Sequence, residues 1–262
     1  MALADVSIGV AGALGPEALA RLAPVVERCG FRSLWVNDTP GGDSLAALAA
    51  AADATSRLTL ATGVIPVDRR HPDEVVGAVK RLQLPEDRLV LGIGAGAARN
   101  GALFLVETAV AELHEGTRAP VLVGALGPKM RRLGAERGDG VLLSWLTPEV
   151  AAEQASTARS SAAANGASGC RVALYVRTAL DASADDRLAE EAGRYAGYPA
   201  YAANFERLGI RAQDTVLDAY TFGDRIGRYR DAVDEVVLRV IAPSDSVDDH
   251  IRFVEAAADL LS

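Results

Sequence analysis

Short apolar runs alternate with longer amphipathic segments along most of the chain. Each run is followed by residues whose apolar positions recur at helical spacing, which predicts alternating strands and helices. Eight strands in this order indicate an α/β fold, and we predict a single (β/α)8 TIM barrel over residues 1–262, with an open doubly wound sheet as the alternative. The predicted strands are 6–10, 33–36, 58–64, 88–93, 121–123, 141–143, 172–180 and 236–240.

Local signals place the ends of several helices. Pro16 and Pro72 stand at early helical positions, where the missing N–H of proline has no cost. Asp43 or Ser44 is expected to cap the second helix, and Gly30 is expected to close the first. The predicted helices are 16–28, 44–54, 73–83, 101–113, 129–137, 148–165 and 247–261.

The segment at about 181–230 is longer than a simple connection between a strand and a helix. It carries most of the aromatic residues of the chain, namely Tyr195, Tyr198, Tyr201, Phe205, Tyr220, Phe222 and Tyr229. We interpret it as helices that pack around an enlarged seventh connection. A lid or a dimer surface beside the barrel mouth is the alternative.

Composition and charge exclude some classes of partner but do not define the function. A length of 262 residues suits one barrel of about 250 residues, although it would also suit two small domains. The net charge of −8 disfavours nucleic acid or an anionic membrane as a partner, which leaves a small-molecule substrate. Cys29 and Cys170 form no CxxC pair, no leading apolar segment is seen, and we predict a reduced, cytoplasmic protein. The three histidines are scattered, so no metal site is predicted.

The turn after the fifth strand is the strongest candidate for ligand binding. It comprises Ala125, Leu126, Gly127, Pro128 and Lys129. In α/β proteins ligands bind at the carboxyl ends of the strands, where this turn lies. It also exposes backbone N–H groups at the start of a helix, and such a site favours phosphate.

A second glycine-rich turn follows the fourth strand. Gly92, Gly94 and Ala97 satisfy the GxGxxG/A pattern of dinucleotide-binding proteins. That fingerprint belongs on the first strand of a mononucleotide-binding half, however, and here it lies on the fourth, with a helix that starts late. We therefore favour a phosphate flanked by Gly94, Ala95, Gly96 and Ala97 on one side and by the Gly127 turn on the other.

Four strings together resemble one family, the bacterial luciferase-like flavin and deazaflavin (coenzyme F420) oxidoreductases. They are WVND after the second strand, TGVIPVDRRHP after the third, LGIGAG after the fourth, and ALGPKM with DGVLL and TPE after the fifth. The resemblance covers most of the chain through Glu149 and is weak beyond it. It implies a barrel with a tricyclic cofactor at its mouth.

The resemblance also implies roles for two residues after the second strand. Asp38 matches an aspartate that lies near the polar edge of the flavin ring. Thr39 stands where many deazaflavin-using members carry a histidine with an acid–base role. Both are candidate catalytic positions, but threonine does not titrate near neutral pH, so the proton chemistry of that histidine is not carried over. Asp38 also suits a turn before residues 40–42.

After the third strand, the family places a non-proline cis peptide that bulges against the face of the ring. The matching bond joins Gly63 to Val64, so we predict that this bond is cis. Thr62, Gly63 and Val64 are accordingly candidate cofactor contacts.

Three functions follow from these expectations. The first is an F420-dependent oxidoreductase that transfers a hydride at the deazaflavin C5 to or from an unknown small organic substrate. The second is an FMN-dependent monooxygenase that uses O2 and reduced flavin from a partner reductase, and the third is a vestigial barrel without activity. The segment between the fourth and fifth strands is shorter than in many members, which implies a more open mouth. A homodimer is expected because the family commonly dimerises.

Overall fold

The barrel is closed. The computed structural model describes residues 5–39, 41–167 and 169–262, and in it β1 pairs with both β2 and β8, all in parallel. The closed sheet confirms the predicted (β/α)8 barrel. The alternative prediction of an open doubly wound sheet is wrong. The strands are β1 Val6–Ala11, β2 Ser33–Asn37, β3 Thr59–Pro66, β4 Leu89–Gly94, β5 Val121–Gly124, β6 Gly140–Ser144, β7 Arg171–Thr178 and β8 Glu235–Val240.

The helices begin and end close to the predicted positions. Asp43, rather than Ser44, caps α2, because its carboxylate accepts the N–H groups of Leu45 and Ala46. His71 caps α3 in the same way. The helices are α1 Gly15–Arg28, α2 Ser44–Asp53, α3 Pro72–Arg81, α4 Ala102–Gly116, α5 Pro128–Arg137, α6 Pro148–Ala164, α7 Asp185–Ala196, α8 Pro199–Leu208, α9 Phe222–Ala232 and α10 Val247–Leu261.

The enlarged seventh connection folds as α7, α8 and most of α9, which confirms the prediction of packed helices. Two of its aromatic rings pack against Trp145, which lies just beyond β6. The centroids of the Tyr195 and Phe205 rings lie 4.8 and 6.2 Å from that of Trp145. Part of the connection therefore lies beside the carboxyl ends of the strands. The proposed dimer surface stays a prediction.

Side chains fill the barrel interior, so its lumen is not a pore. Trp35 and Tyr175 meet edge to face with ring centroids 6.0 Å apart, and Leu122 and Val237 pack with them. A second, larger apolar layer lies between the strands and the surrounding helices. Chemistry is thereby confined to the carboxyl-terminal mouth, as is general for this fold.

A buried polar network closes the opposite end of the barrel. Glu235 accepts hydrogen bonds from Ser7 at 2.5 Å, from Trp35 at 2.8 Å and from Ser33, and it pairs with Arg171 at 2.5 Å. Burial opposes ionisation of this carboxyl, but Arg171 and the hydroxyl donors outweigh burial and lower the pKa of Glu235. At the amino-terminal face such a cluster serves stability rather than catalysis.

In the described part of the chain, every helix is too short or too polar to span a bilayer. No group of three or more His, Cys, Asp or Glu side chains is arranged to hold a metal ion within the same residues.

Candidate functional site

A bulge on β3 forms the floor of the barrel mouth. The Gly63–Val64 peptide is cis, as predicted, and the β3–β4 register shifts between Thr62 and Ile65. The Val64 side chain is half-buried and packs on the inner core. A Cβ atom on Gly94 or on Gly124 would lie 2.9 Å from a Val64 methyl group. These glycines therefore make room for the bulge at the ends of β4 and β5.

Gly63 faces into the barrel rather than towards the mouth. A Cβ atom on it would lie 2.3 Å from the Tyr175 hydroxyl oxygen. That hydroxyl is buried without a described hydrogen-bond partner, and burial raises the pKa of Tyr175. Because a larger residue at 63 would disturb the core, substitutions that probe the floor belong at Val64.

Three polar side chains at the ends of β2 and β3 are candidates for the site. The Asn37 amide donates to the Gly63 carbonyl, while Asn37 Oδ1 is buried with no described partner. The Thr39 hydroxyl is likewise buried and unpaired within the described chain. Thr62 differs, because its hydroxyl is fully buried and donates to the Gly92 carbonyl at 2.9 Å. Asn37 and Thr39 thus have polar atoms to offer a ligand, whereas Thr62 supports the β3–β4 pair.

Asp38 connects two loops at the mouth. Its carboxylate accepts from the Ser44 hydroxyl at 2.8 Å and pairs with Arg70 at 3.4 Å. Arg69 lies 3.8 Å from the same carboxylate and donates to the Asp38 carbonyl at 3.2 Å. These bonds join the β2–α2 and β3–α3 loops. A direct role of Asp38 towards a cofactor ring stays a prediction.

The turn after β4 has an acidic neighbour. Asp68 accepts the Ala97 N–H at 2.8 Å, and a Cβ atom on Gly96 would lie 1.8 Å from the Asp68 carboxylate. Gly96 has a φ of +62°, which also favours glycine. Ala95 is half-buried above β4. A carboxylate in this turn opposes an anion, so the phosphate prediction now depends on the turn after β5.

That turn presents the open amino-terminal end of a helix. Gly127 is the N-cap of α5, Pro128 follows it, and no side chain caps the helix. Apart from Gly127 itself and its two chain neighbours, no heavy atom of the described residues lies within 4 Å of the position that a Gly127 Cβ would occupy. The early N–H groups of α5, including that of the exposed Lys129, have no side-chain acceptor from the N-cap. Such a helix end favours an anion.

Two arginines hold the turn in shape. The Leu126 carbonyl accepts from Arg131 at 2.8 Å and from Arg207, on α8, at 3.4 Å. Arg131 is 7% exposed, and burial together with the neighbouring Arg207 lowers the pKa of its guanidinium. Ala125 is also nearly buried, and its N–H donates to the Leu142 carbonyl at 3.1 Å. Arg131 therefore supports the turn, and Lys129 is an exposed cation beside it.

Sequence reasoning missed the charged groups on the other side of the mouth. Arg177 on β7 lies beside Arg239 on β8 in the strand register. Arg177 pairs with Glu191 of α7 at 3.2 Å, donates to Ser144 at 2.5 Å, and stacks on Trp145 at 4.2 Å from the ring centroid. Burial opposes ionisation of Glu191, but Arg239 and Arg177 outweigh it and lower the pKa of this carboxyl.

A sequence signal for these arginines exists. Each is the penultimate residue of a strand whose middle is apolar, in RVALYVRT and in EVVLRV. Since strand side chains alternate, Arg177 shares the inward face with Tyr175, and Arg239 shares it with Val237. An arginine at such a position must lie at the top of the lumen.

A model of one protein family matches nearly the whole chain. Its description is luciferase-like monooxygenase, and the matched residues are 2–104 and 98–259. The chain belongs to this family. The prediction from the four sequence strings is therefore confirmed.

Solved structures share the fold of this family member at low sequence identity. Monooxygenase RslO1 from Streptomyces bottropensis has a TM-score of 0.76 at 20% identity, with 98% of each chain covered. The coenzyme F420 dependent tetrahydromethanopterin reductase from Methanopyrus kandleri has a TM-score of 0.71 at 19% identity, again with 98% of each chain covered. The oxygenating constituent of 3,6-diketocamphane monooxygenase from Pseudomonas putida, in complex with FMN, has a TM-score of 0.69 at 17% identity, with 98% of this chain and 97% of that chain covered.

Proposed function

We propose that this family member is an oxidoreductase that uses coenzyme F420 and transfers a hydride to or from a small organic substrate. The observation that carries the proposal is the Val64 bulge. It presents a half-buried apolar side chain at the mouth of a barrel that is otherwise filled. A flat ring needs such a surface on one face and an open space for substrate on the other.

The surrounding residues fit a cofactor with a polar ring edge and a phosphate. Asn37, which donates to the Gly63 carbonyl, and Thr39, two residues further along the chain, hold polar atoms without a described partner. The uncapped start of α5 at Gly127 suits the phosphate. When bound, F420 supplies the hydride chemistry at C5, and the protein supplies binding and orientation. Val64 would support the ring, Asn37 and Thr39 would bond its edge, and Lys129 would face the phosphate.

The character of the mouth favours F420 over FMN. Oxygenation requires a site that excludes water and protects reactive intermediates. Here the mouth carries the charged groups of Arg177, Arg239 and Glu191, and only 7 residues, 95–101, separate β4 from α4. Hydride transfer tolerates such a mouth, because water does not consume the hydride carrier. The FMN-dependent monooxygenase is the second candidate, since proteins of similar fold include the monooxygenase RslO1 and a monooxygenase constituent in complex with FMN.

Fluorescence titration of the purified protein with F420 and with FMN tests the proposal. We expect F420 to bind at least about tenfold more tightly, a difference of about 1.4 kcal/mol. Tighter binding of FMN would support the monooxygenase, and a protein that binds neither would be the vestigial barrel. Each result thus selects one of the three functions.

A further inference from the structure

A cavity opens between the ends of β1 and β8, two strands away from the Val64 bulge on β3. Its volume is about 310 Å³, which is within the range of small-molecule sites. Its lining includes the apolar side chains of Ala13, Leu14 and Ile241. The polar and charged side chains that line it are those of Arg187, Glu191, Arg239, Asp245 and His250.

Arg239 differs from the other basic residues of this cavity in its partners. Arg187 pairs with Asp245 at 2.5 Å, and Arg177, next to Arg239 in the sheet, pairs with Glu191. No ion pair within 4.0 Å joins Arg239 to a carboxylate of the described residues, and its recorded hydrogen bond goes to the Val240 carbonyl. A guanidinium has five N–H donors, so most of its donors stay available.

The local charges leave a positive excess. Arg177 and Arg239 lie in register on adjacent strands, and the nearby Glu191 balances only one of them. Burial lowers the pKa of the Arg239 guanidinium, with Glu191 opposing that effect and Arg177 reinforcing it. Removal of a cation from water without a counter-ion is costly, and a bound anion relieves that cost.

From these observations we infer that the cavity binds the carboxylate of a small substrate with an apolar body, and that Arg239 is its anchor. The carboxylate would face Arg239 as a charge-assisted pair. The apolar body would lie on Leu14 and Ile241. That this ligand is the substrate rests on the proposed function, because the cavity opens at the same mouth as the Val64 bulge.

Benzoate and its neutral analogue benzamide are suitable probes, since they share a ring and differ in charge. Ligand-observed NMR at fixed ionic strength would give both dissociation constants. We expect benzoate to bind at least tenfold more tightly than benzamide. Arg239→Met keeps an unbranched side chain but removes the charge. We expect this substitution to weaken benzoate binding at least tenfold and to leave the affinity for benzamide unchanged. Arg239→Lys should restore part of the benzoate affinity.

Arg159→Met is the matched control, because it removes one positive charge from an exposed pair with Asp234. It should leave benzoate affinity within about twofold, as expected for screened surface charge. The inference would be overturned if Arg239→Met and Arg159→Met lost the same amount of benzoate affinity. It would also be overturned if the wild type bound benzoate and benzamide equally well. The wild-type comparison decides the question even if Arg239→Met does not fold.

Titration of the same proteins with F420 separates this inference from the proposed function. We expect Arg239→Met to bind F420 as wild type does. If it loses F420 instead, the anion in the cavity belongs to the cofactor and the substrate assignment is wrong. If wild type binds no F420 but discriminates benzoate through Arg239, the proposed function fails while the carboxylate site stands.

Discussion

Gly127→Asp is expected to weaken F420 binding by at least about 100-fold while the barrel stays folded. The introduced carboxylate would stand at the N-cap of α5, where the cofactor phosphate is proposed to bind. Loss of two charge-assisted hydrogen bonds, at about 1.5–3 kcal/mol each, accounts for this change. The fold should tolerate the substitution, because nothing lies within 4 Å of the new Cβ and aspartate is a good N-cap.

Gly127→Asn is the matched control. It has nearly the same shape and capping ability but no charge, so it should weaken F420 much less than Gly127→Asp does. Circular dichroism and thermal unfolding would verify that both variants are folded, and fluorescence titration would give their affinities. Unchanged F420 affinity in Gly127→Asp would mean that the phosphate lies elsewhere.

The second large effect concerns stability. Glu235→Ala is expected to lower the free energy of unfolding by about 3–5 kcal/mol, the usual cost of breaking a buried ion pair. The substitution leaves Arg171, Ser7 and Ser33 without their shared acceptor. Glu235→Gln should cost less, because the amide oxygen still accepts a hydrogen bond. Urea unfolding at pH 7 would measure both, and a loss below about 1 kcal/mol for Glu235→Ala would contradict the assignment.

The same carboxyl gives a pH dependence with a definite sign. The pKa of Glu235 is lowered in the folded protein, so its ionised form is favoured there relative to the unfolded chain. Its contribution is complete above the unfolded pKa of about 4.3 and is lost as pH falls through the folded value. Wild type should therefore lose more stability than Glu235→Gln between pH 5 and the acid limit. If the free energy of unfolding fell equally with pH in wild type and in Glu235→Gln, this pH dependence would not come from Glu235.

The sequence predicted the barrel because its signals are local. Alternating apolar runs and helical segments mark the elements, and a cap such as Asp43 depends only on the next few residues. The cis bond at Gly63–Val64 was also predicted, but from family resemblance and not from local preference. Its spatial reason is visible only in the fold, where Gly94 and Gly124 from later strands receive the Val64 side chain.

The charged side of the mouth shows what local patterns miss. Glu191 lies on α7 of the enlarged connection, and only the closed barrel brings it to Arg177. Asp68 likewise reaches the Ala97 N–H across 29 positions, which alters the turn predicted to flank the phosphate. Neither pairing leaves a pattern in a single sequence. Arg177 and Arg239 were accessible to reasoning, because each interrupts an apolar strand on its inward face.

A crystal structure of the protein with F420 would show where the cofactor binds. We expect one face of the deazaflavin ring to lie on Val64. We also expect a phosphate oxygen within about 2.7–3.2 Å of backbone nitrogen atoms at the start of α5, the usual hydrogen-bond range. A ring that lies away from Val64, or a phosphate bound at Arg239 instead of Gly127, would mean that the proposed cofactor site is wrong.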